Sequence, residues 1–286
     1  MFYADSDNIL KHLRELIGER NPFTSLKALQ NAGRYILQEF EGACLDIQEQ
    51  AVSFDGTVSQ NVLGLKKGSS GTGELFVLGA HYDTVEGSPG ADDNASAVAA
   101  LLEILRLLQP VTLKTSLMFA GFTLEEYGLI GSRFFVEQSA ENQVAIGGMI
   151  SLEMLGFRNH QPGSQQFPHY VDAARYPDAG DFILVVGNEP SQDLTLSLAK
   201  TMQQAVPQLP VELLSVPGEG DLFPEIRLSD HSPFWDNGHR AVMVTDTAFF
   251  RNPHYHKSTD TLETLDIEFI SDIATAIAGF LKIHLG

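Results

Sequence analysis

Residues 79–105 read GAHYDTVEGSPGADDNASAVAALLEIL and set a histidine and three aspartates within thirteen positions. They lie where an apolar run hands over to a stretch of very small residues. Such a handover is either an acidic, glycine-rich surface turn or one half of a metal site. In both cases it joins a strand to a helix, because "ELFVLGA" before it is a short continuous apolar run. After it, Val98, Leu101, Leu102 and Leu105 recur at helical spacing from Asn94 to Gln109.

The same alternation extends to both ends of the chain. Apolar runs "SLMFAGF", "AIGGMISLEML", "DFILVVG", "VELLSV" and "AVMVTDT" have the length and boundaries of strands buried on both faces. Ile9, Leu13 and Leu16 form a helical stripe near the start, and Leu26, Leu29, Tyr35, Ile36 and Phe40 supply others. Ser191 opens the helical segment "SQDLTLSLAKTMQQAV" as its N-cap, and Ile270, Ile273, Ile277 and Leu281 space a final helix. Strands alternating with helices predict an α/β fold: a mostly parallel central sheet between two helical layers. With no repeat or linker, residues 1–286 are expected to form a single domain. Residues 157–180 and 217–230 lack periodicity and are expected as long loops at the carboxyl ends of the strands, where open α/β sheets place their sites.

Composition narrows the function classes. The chain has 18 basic and 37 acidic residues, a net charge of −19, which argues against nucleic acid or anionic membrane as a partner. No apolar run approaches the roughly 18 residues of a membrane span. The first twenty residues read as an amphipathic helix rather than a signal peptide. One cysteine, Cys44, excludes an intramolecular disulfide and suits a reducing, cytoplasmic compartment, with Cys44 itself expected as a small buried hydrophobe.

Four of the strand-like runs deliver polar chemistry at or beyond their ends. These are His81-Tyr82-Asp83, Glu125-Glu126, Glu153, and, after "AFFRNP", His254-Tyr255-His256. Parallel neighbouring strands would gather them on one edge of the sheet. Crowded carboxylates repel, and burial raises their pKa values, a conflict that a divalent cation removes. Imidazole and carboxylate donors without cysteine suit zinc in a catalytic setting.

Taken together, "HYD", "PGADDNASA", "TLEEYGLIGS", "SLEMLG", "SDHSPFW" and "YHKSTDT" resemble the co-catalytic di-zinc aminopeptidases, a metallopeptidase family that includes glutamate carboxypeptidase and the glutaminyl cyclases. The resemblance runs from about Leu75 to Thr261 and implies a three-layer αβα zinc-peptidase-like sandwich. It implies two zinc ions, other divalent metals being possible, with Asp93 bridging them. His81 and Glu153 would complete one metal, and Glu126 and His256 the other. Asp83 would hydrogen-bond the second ring nitrogen of His81. Glu125 would be the general base toward a water bridging the metals, and Tyr255 occupies a position that in some members donates to the oxyanion. The implied activity is removal of N-terminal residues from a peptide substrate. Many members carry Asp where Glu153 stands, so the reach to that metal differs by one methylene. Ala97 replaces a common helix glycine.

Other polar residues carry more ordinary expectations. Asp92 reads as a turn or N-cap residue, His160 and His169 as loop histidines, and Arg133 as a salt-bridge partner near a helix start. The family's His-x-x-x-Asp-Thr register selects His256 over His254. Asp230 and His231 either brace the site or form an ordinary turn. Within the same chemistry stand a carboxypeptidase or deacylase and a glutaminyl cyclase-like transferase with one zinc. A non-catalytic binding module on the same fold is the alternative from another class. Oligomeric state and side-chain preference are left open.

Overall fold

The computed structural model describes residues 3–71 and 73–286. In chain order the elements are α1 (Ser6–Leu16), α2 (Leu26–Gly42), β1 (Asp46–Phe54), β2 (Thr57–Lys66), β3 (Glu74–His81), α3 (Ala97–Leu108), β4 (Ser116–Phe122), α4 (Ile130–Glu141), β5 (Ala145–Glu153), β6 (Ile183–Asn188), α5 (Gln192–Ala205), β7 (Val211–Val216), α6 (Ser232–Asp236), β8 (Ala241–Thr245) and α7 (Ile267–Leu285). The strands form one sheet in the order β1-β2-β4-β3-β5-β8-β6-β7. Successive side chains leave opposite faces of a strand, and here both faces are covered. Phe76, Leu78, Ile150, Leu152, Val242 and Val244 pack with α1, α2, α3, α5 and α7. Val77, Met118, Met149, Val186 and Met243 pack on the other side with Phe135 of α4 and with Phe234 and Trp235 of α6. The three-layer αβα architecture is therefore present.

Every apolar run of the sequence became a strand, but the sheet is more mixed than those runs imply. β4, β3, β5 and β8 are parallel neighbours. β6 joins β8 antiparallel and brings β7 with it. At the other end, β1 and β2 form an antiparallel hairpin laid on β4. That hairpin was not expected, because "DIQEQAVSF" is largely polar, and apolar periodicity is the signal that marks a strand. α3 begins at Ala97 rather than Asn94. Residues Ala91–Ser96 make an irregular turn in which Asp93 (φ −103°, ψ 90°) and Asn94 leave helical geometry. Ser191 flanks α5 but makes no side-chain cap hydrogen bond. Cys44 is exposed rather than buried, sitting at φ 59° in the turn between α2 and β1.

The parallel core aims four strands at one edge. His81 pairs with Phe122, and Glu153 with Thr245, so the carboxyl ends of β3, β4, β5 and β8 are level. α7 anchors the end of the chain against this core, with Asp266 capping its first turn through the Phe269 N–H at 3.0 Å.

Candidate metal centre

His81 ends β3, and its imidazole is buried. Its Nε2 lies 3.4 Å from Asp93 Oδ1 and 3.5 Å from Glu153 Oε2. On the other side of Asp93, His256 Nε2 stands 3.1 Å from Asp93 Oδ2 and 3.1 Å from Glu126 Oε2. Among the described residues the structure brings together three overlapping donor groups: His81–Asp93–Glu153 and Asp93–Glu126–His256, which share Asp93, and His81–Glu125–Glu126. Two donors each held about 2.0–2.1 Å from a tetrahedral zinc lie roughly 3.3 Å apart. The observed separations match that spacing. His81 Nε2 and Asp93 Oδ1 are moreover buried without a hydrogen-bond partner, which costs stability unless a cation sits between them.

The braces explain how distant segments hold this spacing. Asp83 receives the backbone N–H of both Glu125 (3.1 Å) and Glu126 (3.2 Å), and its Oδ1 lies 3.4 Å from His81 Nδ1. One carboxylate therefore fixes the glutamate turn and faces the histidine ring. Leu124 (φ 59°) turns the chain sharply before Glu125, so adjacent glutamates leave the strand in different directions. Ser229 donates to Glu153 Oε2 at 2.7 Å, steadying the longer side chain at that position. Asn94 ties the irregular turn to the end of β5, donating to the Leu152 carbonyl and accepting from the Met154 N–H. Asp260 accepts the N–H groups of Asp92 and Asp93 at 2.9 and 3.1 Å. Ser229 and Asp260 were not singled out in the sequence, although both lie inside the quoted motifs. Their partners are distant in sequence, and no spacing rule links them.

Asp92 does lie in a turn, the irregular one at Ala91–Ser96, and is not the N-cap of α3. It is fully buried and accepts from Gly156 N (2.8 Å), Ser96 Oγ (3.1 Å) and Asn252 Nδ2 (2.7 Å). Asp230 and His231 are buried too, and His231 Nε2 lies 2.8 Å from the Ile226 carbonyl, its ring edge-on to Trp235. His254 turns away to Thr259 Oγ1 at 2.9 Å. His160 faces Asp181, His169 packs on Tyr170, and Arg133 lies 3.7 Å from Asp236. Another residue missed in the sequence is Arg20. Its buried guanidinium donates to the carbonyl oxygens of Tyr82, Leu16, Gly18, Pro89 and Gly90, clasping the loop between His81 and Asp93.

Electrostatics carry the same message. Burial pushes the Glu125 carboxyl well above its usual value, the charges of Glu153 and Glu126 adding to this against the pull of His81. Burial and the nearby Asp93 push Glu126 up to about 7, and burial raises Glu153. Burial would lower both histidines. Instead the Glu125 and Glu153 charges lift His81, and hydrogen bonds to Asp93 and Glu126 lift His256 to about 10. Asp93 is buried as well, but the nearby His256 and His81 imidazoles hold it below the usual carboxylate range. Without a metal, protons must supply the positive charge that these carboxylates demand. A divalent cation supplies the same charge at neutral pH.

Beside Glu153 and Tyr255 opens a pocket of about 700 Å³, including its mouth, lined by Phe167, Val171, Leu184, Ile226, Met243 and Phe250 among others. Both aperiodic segments contribute to it. Tyr255 stacks on His256, with ring centroids 3.7 Å apart, and burial keeps its phenol protonated by raising its pKa. Among the described residues no helix is long and apolar enough to cross a membrane.

Comparison with known proteins identifies the fold and the family. The chain is 31% identical to the uncharacterized protein YfbL of Escherichia coli (strain K12), over 98% of this chain and 88% of that one. Its fold superposes on the LapA aminopeptidase of Legionella pneumophila with a TM-score of 0.77, at 21% identity over 99% of this chain and 73% of LapA. It superposes on a glutaminyl cyclase of Bacteroides thetaiotaomicron with a TM-score of 0.74, at 16% identity over 98% of both chains. Residues 61–281 match the model of peptidase family M28, and the chain belongs to that family.

Proposed function

We propose that this peptidase is an aminopeptidase that works with two zinc ions, one held by His81, Asp93 and Glu153 and the other by Asp93, Glu126 and His256. The observation that carries the reading is the pair of triads sharing one carboxylate, with Glu125 beside them and outside the two triads that Asp93 joins. Bound there, zinc supplies a Lewis acid that acidifies water and polarises the scissile carbonyl. Glu125 takes the proton of the attacking water and hands it to the leaving amine, a role that suits a carboxylate whose pKa burial raises well above its ordinary value. Tyr255, kept protonated, donates its O–H to the oxyanion. Asp83 holds the His81 ring and the Glu125–Glu126 turn in register.

Two further features favour the amino end of a peptide. The pocket beside Glu153 offers an apolar enclosure for the first side chain. The surrounding carboxylates attract an ammonium group and repel a free carboxylate. The test is hydrolysis of leucinamide and leucyl dipeptides by protein titrated with zinc. Activity should rise to two bound equivalents, disappear with a strong chelator, and fail on peptides with acetylated N-termini. One tightly held equivalent, with ammonia released from N-terminal glutamine, would instead assign the chain to the cyclases.

A further inference from the structure

The hairpin β1–β2 does more than extend the sheet. β2 pairs with β4 from Val62, opposite Gly121, to Lys66. Because the strands are antiparallel, the earlier residues of β2 and the turn at Asp55–Gly56 run beyond the paired part of β4, on the edge that carries Glu125 and Glu126. Phe54, at the hairpin tip, meets Tyr127 at 5.8 Å and Phe23 at 6.2 Å between ring centroids. Phe23 stands edge-on to Tyr127 at 5.1 Å and is 46% exposed. Tyr127 immediately follows Glu126. Asn21 pins the cluster to the centre, donating to Tyr127 Oη (2.7 Å) and to the Thr84 carbonyl (3.1 Å), while its Oδ1 accepts the Phe23 N–H.

The order of strands gives this cluster a direction. Along the site edge the aromatic tip lies at the β1–β2 end, and the candidate donors end β3 and β5 (His81, Glu153) or follow β3, β4 and β8 (Asp93, Glu126, His256). The apolar pocket lies over β8, β6 and β7. A peptide with its first side chain in the pocket and its first peptide bond at the donors therefore sends its second residue toward the hairpin. We propose that Phe23, Phe54 and Tyr127 form a binding site for the side chain that follows the scissile bond, and that it takes an aromatic one. Partly exposed rings on a strongly acidic molecule suit such a contact, since edge-to-face stacking needs no compensating charge. This inference rests on the aminopeptidase reading above.

The test compares kcat/KM for leucyl-phenylalanine and leucyl-glycine in zinc-loaded wild type, Phe23→Ala and Phe54→Leu, with leucinamide as a substrate lacking a second residue. The wild type should favour the phenylalanine dipeptide by about tenfold, the worth of one good aromatic contact. That ratio should fall below about twofold in Phe23→Ala and to an intermediate value in Phe54→Leu, which keeps bulk and so guards against a collapsed hairpin. A wild-type ratio near one overturns the proposal. So does a variant in which both dipeptides slow together with the ratio intact. Wild type that cleaves leucinamide and both dipeptides without preference sinks only the aromatic site. Wild type that cleaves none of the three sinks the aminopeptidase reading itself.

Discussion

Glu125 and Glu126 are adjacent and chemically alike, yet their surroundings separate them. Glu126 faces His256 at 3.1 Å, whereas the shortest approach of Glu125 to His81 is 3.9 Å. Glu125→Gln keeps size and hydrogen-bonding reach but cannot carry a proton. Turnover should fall roughly 10²–10⁴-fold while zinc content stays at the wild-type level. Zinc loss in that variant would make Glu125 a ligand instead. At Gly90 the backbone (φ 60°) suits glycine, and an added Cβ would collide with Thr84 Cγ2 and the Asp93 carbonyl oxygen. Gly90→Ala should cost about 1–3 kcal/mol in unfolding free energy and weaken zinc binding, because the collision displaces the shared ligand. Unaltered zinc affinity would show that Asp93 is positioned independently of that turn. The clustering of His81, Asp93, Glu126, Glu153 and His256 was legible in the sequence because the motifs that carry the family resemblance contain these side chains. The braces were not: Asp260 serves backbone N–H groups far from it in the chain, and backbone groups leave no mark in a sequence.

At the scale of elements, continuous apolar runs marked β3 to β6 and β8, because strands buried on both faces need apolar residues throughout. A similar run marked β7, although that edge strand is mostly half-buried or exposed. A run does not reveal which way a strand points, so the reversal of β6 and β7 was invisible. The hairpin failed to register for a different reason. Most of β1 is exposed or half-buried, and its pairing with β2 is carried by backbone hydrogen bonds rather than by a buried face. The irregular turn Ala91–Ser96 also lay beyond periodicity. Its side chains match a helix start, but its conformation is set by Asp260, Arg20 and the end of β5.

Across the whole molecule, the centre couples charge to stability. In chelated protein the folded state keeps protons that the unfolded chain would release. Glu126, Asp230 and Asp260 hold theirs up to about 7, and His256 up to about 10. Groups with raised folded pKa values stabilise the native state below their unfolded values and lose that contribution as pH climbs through the folded ones. Asp93 is shifted the other way, but its contribution is already complete above its ordinary value of 3.8. Burial lowers His231 to about 3, which opposes this trend below its ordinary value of 6.5. The melting midpoint of EDTA-treated protein should therefore fall steadily from about pH 7 to pH 9, while the zinc-loaded form falls less and the gap widens. Parallel slopes for the two forms would contradict the coupling. The candidate donors themselves come from five positions along the chain, and apart from His81 and Asp93, which only a loop separates, whole strands and helices lie between them. No excised peptide can reproduce the centre, and a backbone cleavage between β5 and β8 leaves His256 on a different piece from the other four. Such a nicked molecule keeps its ion only while its fragments stay docked, which makes metal retention a direct gauge of whether the two pieces still hold together.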